Sequence, residues 1–410
     1  MMKYQFPYIK HLDDVRPAIA DRNEFIIAER DWGYVVNYMV AMADTFPAVE
    51  INYCDLGEMG APVIYPNIDA WYAAIRRECR GLIFDKSGNI IARRLHKFFN
   101  VNERDETLSH KIDLSQAHVI LEKLDGSMIT PFKVDDTIRW GTKMGITDVG
   151  MGAEEFVDHN VRYSDFAREV MAEGKTPIFE WCSRQQRIVV DYPVDRLVLI
   201  AIRDNFTGEY VSYDVMVNWA HKHMIESVQT YPGTAESMAH LMDETKDAEG
   251  IEGWIIRFDD GHMIKVKGEW YLRIHKTKDN LFFEKNIVDL IVNDKIDDAK
   301  AFMLNEDRNR VEEFEKRFWH GFDLCVRVTE IQLESIRHHF SGDRKRFALE
   351  HADVLHPIIR SVMFACWERE NNFRDELLKV IRKNTGTQTK IDSVRFLWGN
   401  YKWNYHTIKD

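Results

Sequence analysis

The chain has 410 residues, of which 45% are hydrophobic and 30% are charged, and its formal net charge is -12. This composition is typical of a folded protein with two or three domains, and it excludes a disordered chain. A protein that coats nucleic acid without selectivity is usually basic, so any nucleic acid bound here must be held by local basic patches.

The cysteines and the N-terminus indicate the cellular compartment. Five cysteines lie far apart and form no C-x-x-C pair, which favours free thiols over a zinc site or a disulfide framework. The N-terminus lacks the apolar stretch of a secretion signal, and no segment approaches the roughly 18 apolar residues that span a bilayer. We therefore expect a soluble, cytoplasmic monomer with no membrane partner.

Strand patterns dominate the chain before residue 278, with helices inserted between them. Val119–Leu121 predicts a short strand that leads into Lys123, and Met128–Thr130 predicts the next strand. Apolar residues at helical spacing predict a helix over 154–173. Further strands are predicted at 177–181, 187–190 and 197–202, and the last should be central in its sheet because its apolar run is continuous.

After residue 278 the pattern becomes helical. Apolar residues recur every three or four positions from Val311 to Val328, which is one face of a long amphipathic helix. We therefore predict the α+β fold class, with a domain of antiparallel sheets at 1–278 and an all-α domain at 279–410. Other helices of the second domain are predicted at 287–303, 344–369 and 373–383.

A K-x-D-G string, with Lys123 as its lysine, lies in the hexapeptide E-K-L-D-G-S at 122–127. Alone, the string is equally well explained as a surface lysine before a hairpin turn. Further blocks precede and follow it, and their order makes a functional site the better explanation. They are E-C-R-G at 78–81, K-F-F-N at 97–100, F-E-W at 179–181, I-E-G-W at 251–254 and I-K-V-K at 264–267.

Together these blocks resemble the ordered motif set of the covalent nucleotidyltransferases, which comprise RNA ligases, DNA ligases and mRNA capping enzymes. A lysine amine is nucleophilic only when neutral, and an ordinary lysine has a pKa of about 10.4. Burial and neighbouring cations lower the pKa of a lysine and so activate it. Lys265 and Lys267 would supply such cations beside Lys123, and they would also neutralise charge on phosphates.

The residues on either side of Asp259-Asp260-Gly261 predict a hairpin. A two-residue turn at its tip would pair Trp254 with Lys267 and project Glu252, Lys265 and Lys267 from one face. A three-residue loop would shift the pairing by one residue and remove this convergence. An edge strand with exposed lysines is the structural alternative.

Several other polar residues are candidate ligands of a nucleotide. Glu180 lies in an apolar strand, and a buried carboxylate needs a partner. That partner is a ribose hydroxyl or a metal-bound water in the functional interpretation, and a structural ion pair in the alternative. Arg80 and Lys97 are candidate clamps for a polyphosphate, and Lys143 is either a further phosphate contact or a solvated strand end.

The details of the sequence resemble the bacteriophage RNA ligase 1 family of tRNA-repair enzymes over roughly residues 50–370. DNA ligases and capping enzymes would place an OB fold after Lys267, where this chain is predicted to be helical. The resemblance implies an ATP-grasp-like ligase domain followed by a helical domain that recognises tRNA. Besides the blocks above, the matching text is T-G-E-Y-x-S-Y-D at 207–214, K-x-K-x-x-W-Y at 265–271 and D-R-K-x-x-A-x-E at 343–350.

The resemblance also implies roles for individual residues. Lys123 would accept AMP, Glu180 and Glu252 would serve the nucleotide or a metal-bound water, and Tyr271 matches a tyrosine needed for ligation. Asp297-Asp298 matches a metal-binding pair, although such a pair is more commonly the negative charge of a helix N-terminus. The implied contacts with ATP are Tyr53, Arg80, Lys97, Phe99, Lys123, Gly126, Lys143, Glu180, Glu252, Lys265 and Lys267.

The implied reaction is ATP-dependent RNA ligation, with Mg2+ or Mn2+ as the metal. Lys123 would take AMP from ATP and pass it to a 5′-phosphate of RNA, and a 3′-hydroxyl would then displace the AMP. The implied substrate is a tRNA cleaved in its anticodon loop, and the implied partner is a polynucleotide kinase-phosphatase in a phage-infected host. A DNA ligase that acts on nicked duplex and an RNA-binding relative without catalysis are the alternatives.

Aromatic residues and a basic segment leave further alternatives. Phe99 is a candidate for stacking on adenine, whereas we expect Phe98 in the core. Basic and aromatic residues interleave from Lys390 to Tyr405, which suits either RNA contact or a packed C-terminal element. The basic residues between Arg337 and Arg346 are candidates for phosphate contact, or for a solvated loop.

Overall fold

The computed structural model of the protein describes residues 4–42, 44–49, 65, 67–300, 303, 305–368 and 372–404. The chain forms two compact units, Met1–Tyr271 and Leu272–Asp410. The first contains antiparallel sheets and helices, and the second is helical, which confirms the predicted fold class. Both the boundary between the units and the boundary predicted at residue 278 fall inside one helix, Glu269–Leu281.

The described part of the first unit contains three four-stranded sheets. Every strand pair is antiparallel except β5 with β12. The sheet orders are β1-β2-β3-β4, β10-β9-β7-β8 and β5-β12-β11-β6. The strands are β1 (Phe25–Arg30), β2 (Gly33–Tyr38), β3 (Arg80–Asp85), β4 (Ile90–Ala92), β5 (Phe99–Asn100), β6 (His118–Lys123), β7 (Ser127–Val134), β8 (Thr137–Gly141), β9 (Lys175–Cys182), β10 (Arg196–Asp204), β11 (Gly253–Phe258) and β12 (Met263–Lys267).

Six helices accompany these sheets before Glu269 in the described part of the chain. Most are amphipathic and bury one face; α4, for example, buries Tyr163, Phe166, Ala167 and Val170 against the second sheet. The helices are α1 (Arg16–Ile19), α2 (Ile68–Glu78), α3 (Asp148–Asp158), α4 (Arg162–Ala172), α5 (Tyr213–Lys222) and α6 (Met238–Lys246).

The helix predicted over 154–173 is instead the pair α3 and α4, separated at residues 159–161. The Asn160 amide donates to the carbonyl oxygen of Phe156 at 2.8 Å. Short polar side chains that bond the nearby backbone compete with helical hydrogen bonds, and this bond coincides with the end of α3. The strand predicted at 197–202 exists as β10, but it lies at the edge of its sheet rather than the centre.

The third sheet positions the residues of the functional motifs. Gly253 of β11 lies between Lys123 of β6 and Lys267 of β12, and Ile255 lies between Leu121 and Lys265. Residues two apart on a strand point to the same face. One face of this sheet therefore carries the lysines of two separate motifs.

Helices account for every regular element that the structure describes after Lys267. The helix predicted at 373–383 has the predicted bounds, whereas those predicted at 287–303 and 344–369 are interrupted, the latter by Pro357 at the first turn of a new helix. The elements are α7 (Glu269–Leu281), α8 (Glu284–Val292), α9 (Ile296–Lys300), α10 (Asn305–His339), α11 (Arg344–Glu350), α12 (Pro357–Ala365), α13 (Phe373–Lys383) and α14 (Gln388–Val394).

The C-terminal segment packs into the core of the second unit. Trp398 and Trp403 are buried, and Arg395 forms an ion pair with the buried Glu284. These contacts support the packed alternative for this segment, although Lys390 and Lys402 remain exposed. Arg337 is also occupied, since it donates to the carbonyl oxygen of Cys366 at 2.7 Å.

None of the described helices combines the length and the apolarity that a membrane span requires.

Candidate active site

A cavity of about 470 Å³ lies against the lysine-bearing face of the third sheet. Such a volume is in the range of small-molecule sites. Its lining combines Lys123, Lys265 and Lys267 of the third sheet with Glu180 of β9. Arg80 of β3 and Lys143, just after β8, complete the polar wall, so all three sheets contribute to it.

Lys123 and Lys267 share one buried carboxylate. The Nζ atom of Lys123 lies 2.6 Å from Oε2 of Glu252, and Nζ of Lys267 lies 2.8 Å from Oε1 of the same residue. Glu252 is buried, so these ion pairs are poorly screened by water. The carboxylate therefore fixes the two amines beside each other at the end of their strands.

The hairpin register differs from the predicted one. Residues 259–261 form a three-residue connection, and Lys267 pairs with Gly253 rather than with Trp254. Glu252 still lies on the same side as Lys265 and Lys267, because Gly253 has φ +143 and Glu252 lies outside the regular strand. Strict alternation of faces applies only to regular strand residues, so the turn at Gly253 lets Glu252 reach the lysines.

Lys265 is the most strongly perturbed amine of the cavity. Burial, followed by the nearby cations Arg80, Lys97, Lys123 and Lys267, lowers the pKa of Lys265 to about 6. Its Nζ atom lies 4.7 Å from the centroid of the Phe98 ring. At neutral pH this amine is largely uncharged, and a bound phosphate would favour its protonated form.

Lys143 and Lys97 approach the same aromatic ring. The Nζ atoms of Lys143 and Lys97 lie 5.2 and 5.5 Å from the centroid of the Tyr38 ring. Burial lowers the pKa of both lysines, and Arg80 lowers each further. Lys143 lines the cavity, whereas Lys97 is not among the described lining residues.

Glu180 lines the cavity without a hydrogen-bond or ion-pair partner among the described residues. Burial raises the pKa of Glu180 to about 7, Lys123 opposes that effect, and Glu252 adds to it. The structural ion pair that was the alternative for Glu180 is therefore absent from the described part of the chain. The carboxylate remains available for a ligand.

Asp125 organises the turn that follows Lys123. Its Oδ2 atom accepts hydrogen bonds from the backbone N–H groups of Val189 and Val190, both at 2.7 Å. The hydroxyl of Tyr271 donates to Oδ1 at 2.7 Å. The strand predicted at 187–190 is consequently wrong, because Asp125 takes backbone donors that a sheet would need.

The two phenylalanines of the K-F-F-N block are both buried. Phe98 packs in an apolar cluster as predicted, and it also lines the cavity, whereas Phe99, predicted to stack on adenine, packs in the core with Phe46 and other apolar residues. Adjacent strand residues face opposite sides, and the sequence did not show which side was the cavity. Gly126 lines the cavity as predicted, and Tyr53 lies outside the described residues.

The predicted metal pair lies in the second unit. The Asp297 carboxylate is exposed and forms an ion pair with Lys300 at 3.1 Å. The side chain of Asp298 lies outside the described part of the structure. No group of three or more His, Cys, Asp or Glu side chains with metal-binding geometry occurs among the described residues, so a metal at this pair stays a prediction.

Three buried residues near the site were not predicted, because no motif contains them. Arg94 and Asn37 bond backbone atoms close to the cavity, as described below. Arg257 lines the cavity, and its Nη1 atom has no hydrogen-bond partner among the described residues. Arg257 is on the same face of β11 as Ile255, but that placement depends on the observed register.

Comparison with known proteins shows that most of the first unit is similar to RNA ligases. A family model described as "RNA ligase" matches residues 78–276. A curated protein of Thermovibrio ammonificans, named "Putative RNA ligase", is 30% identical over 244 residues. The match covers 56% of this chain, and the chain spans 62% of the length of that relative.

Solved structures give weaker likenesses. An "Archaeal ATP-dependent RNA ligase - form 2" is 13% identical with a TM-score of 0.43, and the match covers 66% of this chain and 64% of that one. A DNA ligase structure, "Putative ATP-dependent DNA ligase from Aquifex aeolicus", is 12% identical with a TM-score of 0.41 and covers 83% and 81%.

Proposed function

We propose that residues 78–276 form a domain of the RNA ligase family, and that this chain is an ATP-dependent RNA ligase that joins a 5′-phosphate to a 3′-hydroxyl. The observation that carries the proposal is the bridging of Lys123 and Lys267 by the buried Glu252, with Lys265 in the same cavity. A lysine at a strand end, surrounded by cations, is suited to attack a polyanion.

The first step is attack of the Lys123 amine on the α-phosphorus of ATP. The new bond joins Nζ to phosphorus, and the bond to the bridging oxygen breaks, so pyrophosphate leaves with the electron pair. The ammonium must first lose a proton, and Oε2 of Glu252 is placed to accept it at 2.6 Å. Lys265 and Lys267 neutralise negative charge as pyrophosphate departs.

The next two steps transfer AMP and close the RNA strand. A 5′-phosphate oxygen of RNA attacks the lysine-bound phosphorus, the bond to Nζ breaks, and Lys123 leaves as an amine that takes up a proton. A 3′-hydroxyl then attacks the 5′-phosphate, loses its proton, and releases AMP. Each step requires the amines of Lys123 and Lys267 to remain in place, and their shared contact with Glu252 holds them there.

Divalent metal use is part of the proposal. A divalent cation such as Mg2+ or Mn2+, bound with ATP, would neutralise phosphate oxygens. Glu180 lines the cavity and has no partner among the described residues, and Glu252 contacts the cavity residue Lys123. Their oxygen atoms suit the water ligands of such a cation. Glu180 and Glu252 would hold those waters and orient the nucleotide.

A covalent-adduct assay tests the enzymatic proposal. Protein pretreated with pyrophosphate, which strips any bound AMP, is mixed with α-labelled ATP and magnesium, denatured and separated on a gel. We expect label on the wild type and none on Lys123→Met, which keeps the apolar stem of the side chain. Absence of label on the wild type would overturn the proposal in favour of an RNA-binding protein without catalysis.

The physiological substrate we propose is a tRNA broken in its anticodon loop, prepared by an end-healing kinase-phosphatase. The motif resemblance supports this substrate, and the helical unit is the proposed place of tRNA recognition. Sealing rates are compared on a nicked anticodon stem-loop, an unstructured RNA and a nicked DNA duplex. Preference for the stem-loop supports the proposal, and preference for the DNA duplex would replace it with a DNA ligase.

A further inference from the structure

Two buried side chains, Asn37 in the first sheet and Arg94 just after β4, bond the backbone near Lys143. The Asn37 amide, in β2, donates to the carbonyl oxygen of Lys143 and lies 3.4 Å from the Met144 sulfur. The Arg94 guanidinium donates to the carbonyl oxygen of Gly81 and, at 3.1 Å, to that of Gly141. Both side chains are almost completely buried.

The two carbonyl oxygens that Arg94 binds lie close to two separate cationic residues of the cavity wall, Arg80 and Lys143. Gly81 directly follows Arg80, and Gly141 lies two residues before Lys143. One planar guanidinium can bond two acceptors in a fixed geometry, so Arg94 sets the distance between β3 and the end of β8. Asn37 is the register partner of Arg80 on the neighbouring strand, and its amide reaches the same loop.

Gly81 makes this approach possible. Its φ is +86, and a Cβ atom there would lie 2.9 Å from both the Cα and the carbonyl oxygen of Lys143. A side chain would therefore push the loop of Lys143 away from Arg80. The glycine of the E-C-R-G block thus has a structural reason, which is close packing against the Lys143 backbone.

Arg94 is an unusual group to bury. Its hydrogen bonds go to carbonyl oxygens, and no described carboxylate forms an ion pair with it. Burial lowers the pKa of Arg94 to about 9. Removing an unpaired charge from water is energetically unfavourable, so a fold selected only for stability would favour an apolar residue here.

We propose that Arg94 and Asn37 are positioning residues that hold Lys143 opposite Arg80, so that the two cations grip the polyphosphate of ATP. This inference rests on the proposed function of the cavity. The grip is needed only while pyrophosphate is attached, which is the first of the three steps. Sealing of RNA that already carries AMP should not depend on it.

The test separates the two stages of the reaction. Adenylylation of Lys123 is measured against ATP concentration, and sealing is measured with pre-adenylated RNA and no ATP. In Arg94→Met, which keeps most of the side-chain volume, we expect the ATP concentration for half-maximal labelling to rise about tenfold, while sealing changes by less than about threefold. Equal losses in both stages would overturn the proposal.

A double-mutant cycle tests whether Arg94 acts through Lys143. Lys143→Met alone should weaken ATP use, and adding Arg94→Met should produce little further loss, because the residue being positioned is already absent. Additive effects would show that Arg94 has an independent structural role. Asn37→Ala should give the same pattern, and it decides the matter if Arg94→Met does not fold.

Asn205→Ala is the matched control for Asn37→Ala. Asn205 is also buried, and its side-chain oxygen accepts a hydrogen bond from Thr176 at 2.6 Å, but it does not line the cavity. We expect it to lower the melting temperature without separating the two stages. A wild type that forms no lysine adduct would refute the proposed function itself, which is a different outcome from wild-type activity with unaffected variants.

Discussion

Two groups of buried charges in the first unit show how the same residue types serve different ends. In the structural cluster, Glu78 accepts from Arg93 at 3.0 Å and from Arg203 at 2.8 Å, and all three side chains are almost fully buried. Arg93 also donates to the carbonyl oxygens of Pro7 and Phe206. Every charge has a partner of opposite sign.

The second group lies at the cavity and is called the catalytic cluster after its proposed role; unlike the structural cluster, it contains buried ionisable side chains without a partner of opposite charge among the described residues. Glu252 bridges two lysines. Among the described residues, however, Lys265 has no carboxylate partner and Glu180 has no basic partner. Its members are Lys123, Glu180, Glu252, Lys265 and Lys267.

The pKa values of the two glutamates reflect this difference. Burial raises the pKa of Glu78, but Arg203 and Arg93 outweigh that effect and the net shift is downward. Burial also raises the pKa of Glu180, and there it prevails, with a value of about 7. Burial alone therefore does not mark a functional site; burial without compensation does.

The largest expected effect is the loss of protein stability when the structural cluster is disrupted. Glu78→Gln removes the anion and leaves two arginines buried, which should cost about 3–5 kcal/mol of unfolding free energy. Denaturant unfolding of the full chain measures this. The equivalent change in the catalytic cluster, Glu180→Gln, should not destabilise the protein at neutral pH. A loss as large in Glu180→Gln would remove the distinction between the clusters.

The next largest effect is on the rate of adenylylation. Glu252→Gln retains the size of the side chain but removes both ion pairs and the proposed proton acceptor of Lys123, so labelling with ATP should slow about 100-fold. Glu154→Gln is the control, since it breaks an ion pair with Arg139 and neither residue lines the cavity. Equal rates in the two variants would exclude a role for Glu252.

The contributions of Glu180 and Glu78 to the stability of the protein should change with pH in opposite directions. The raised pKa of Glu180 means that the unfolded state releases its proton first, so Glu180 lowers stability progressively from about pH 4.5 to 7. Glu78, with a lowered pKa, instead stabilises the protein above its unfolded pKa and loses that contribution as pH falls. The melting temperature of Glu180→Gln minus that of the wild type should therefore rise by a few degrees between about pH 5 and 7. A constant difference would contradict the raised pKa.

The smallest expected effect concerns the turn after Lys123. Tyr271→Phe removes one of the hydrogen bonds that hold the Asp125 carboxylate, which should cost about 1 kcal/mol of stability. Sealing should slow by a factor of about three to ten because the turn loses part of its support. Tyr65→Phe, which removes a hydrogen bond to the carbonyl oxygen of Gln5 outside the cavity lining, is a matched control that should retain the wild-type sealing rate.

Local pattern was sufficient for much of the fold. The strand before Lys123, the strand containing Glu180 and the helix at 373–383 all follow from periodicity that neighbouring residues set. Spacing within one strand also explains why Lys265 and Lys267 share a face. Long-range hydrogen bonds explain where local pattern misled, as at Val189 and Val190, whose N–H groups bind Asp125.

By itself, the sequence determined which residue types stand at the site and in which order, because motif text and strand alternation depend only on the local chain. Tertiary structure alone decided the hairpin register, the choice of Phe98 over Phe99 at the cavity, and the placement of Arg94 beside Gly81 and Gly141. These features depend on contacts between residues far apart in the chain, and so do the pKa values of Glu180 and Lys265. Burial and electric field are properties of the assembled fold.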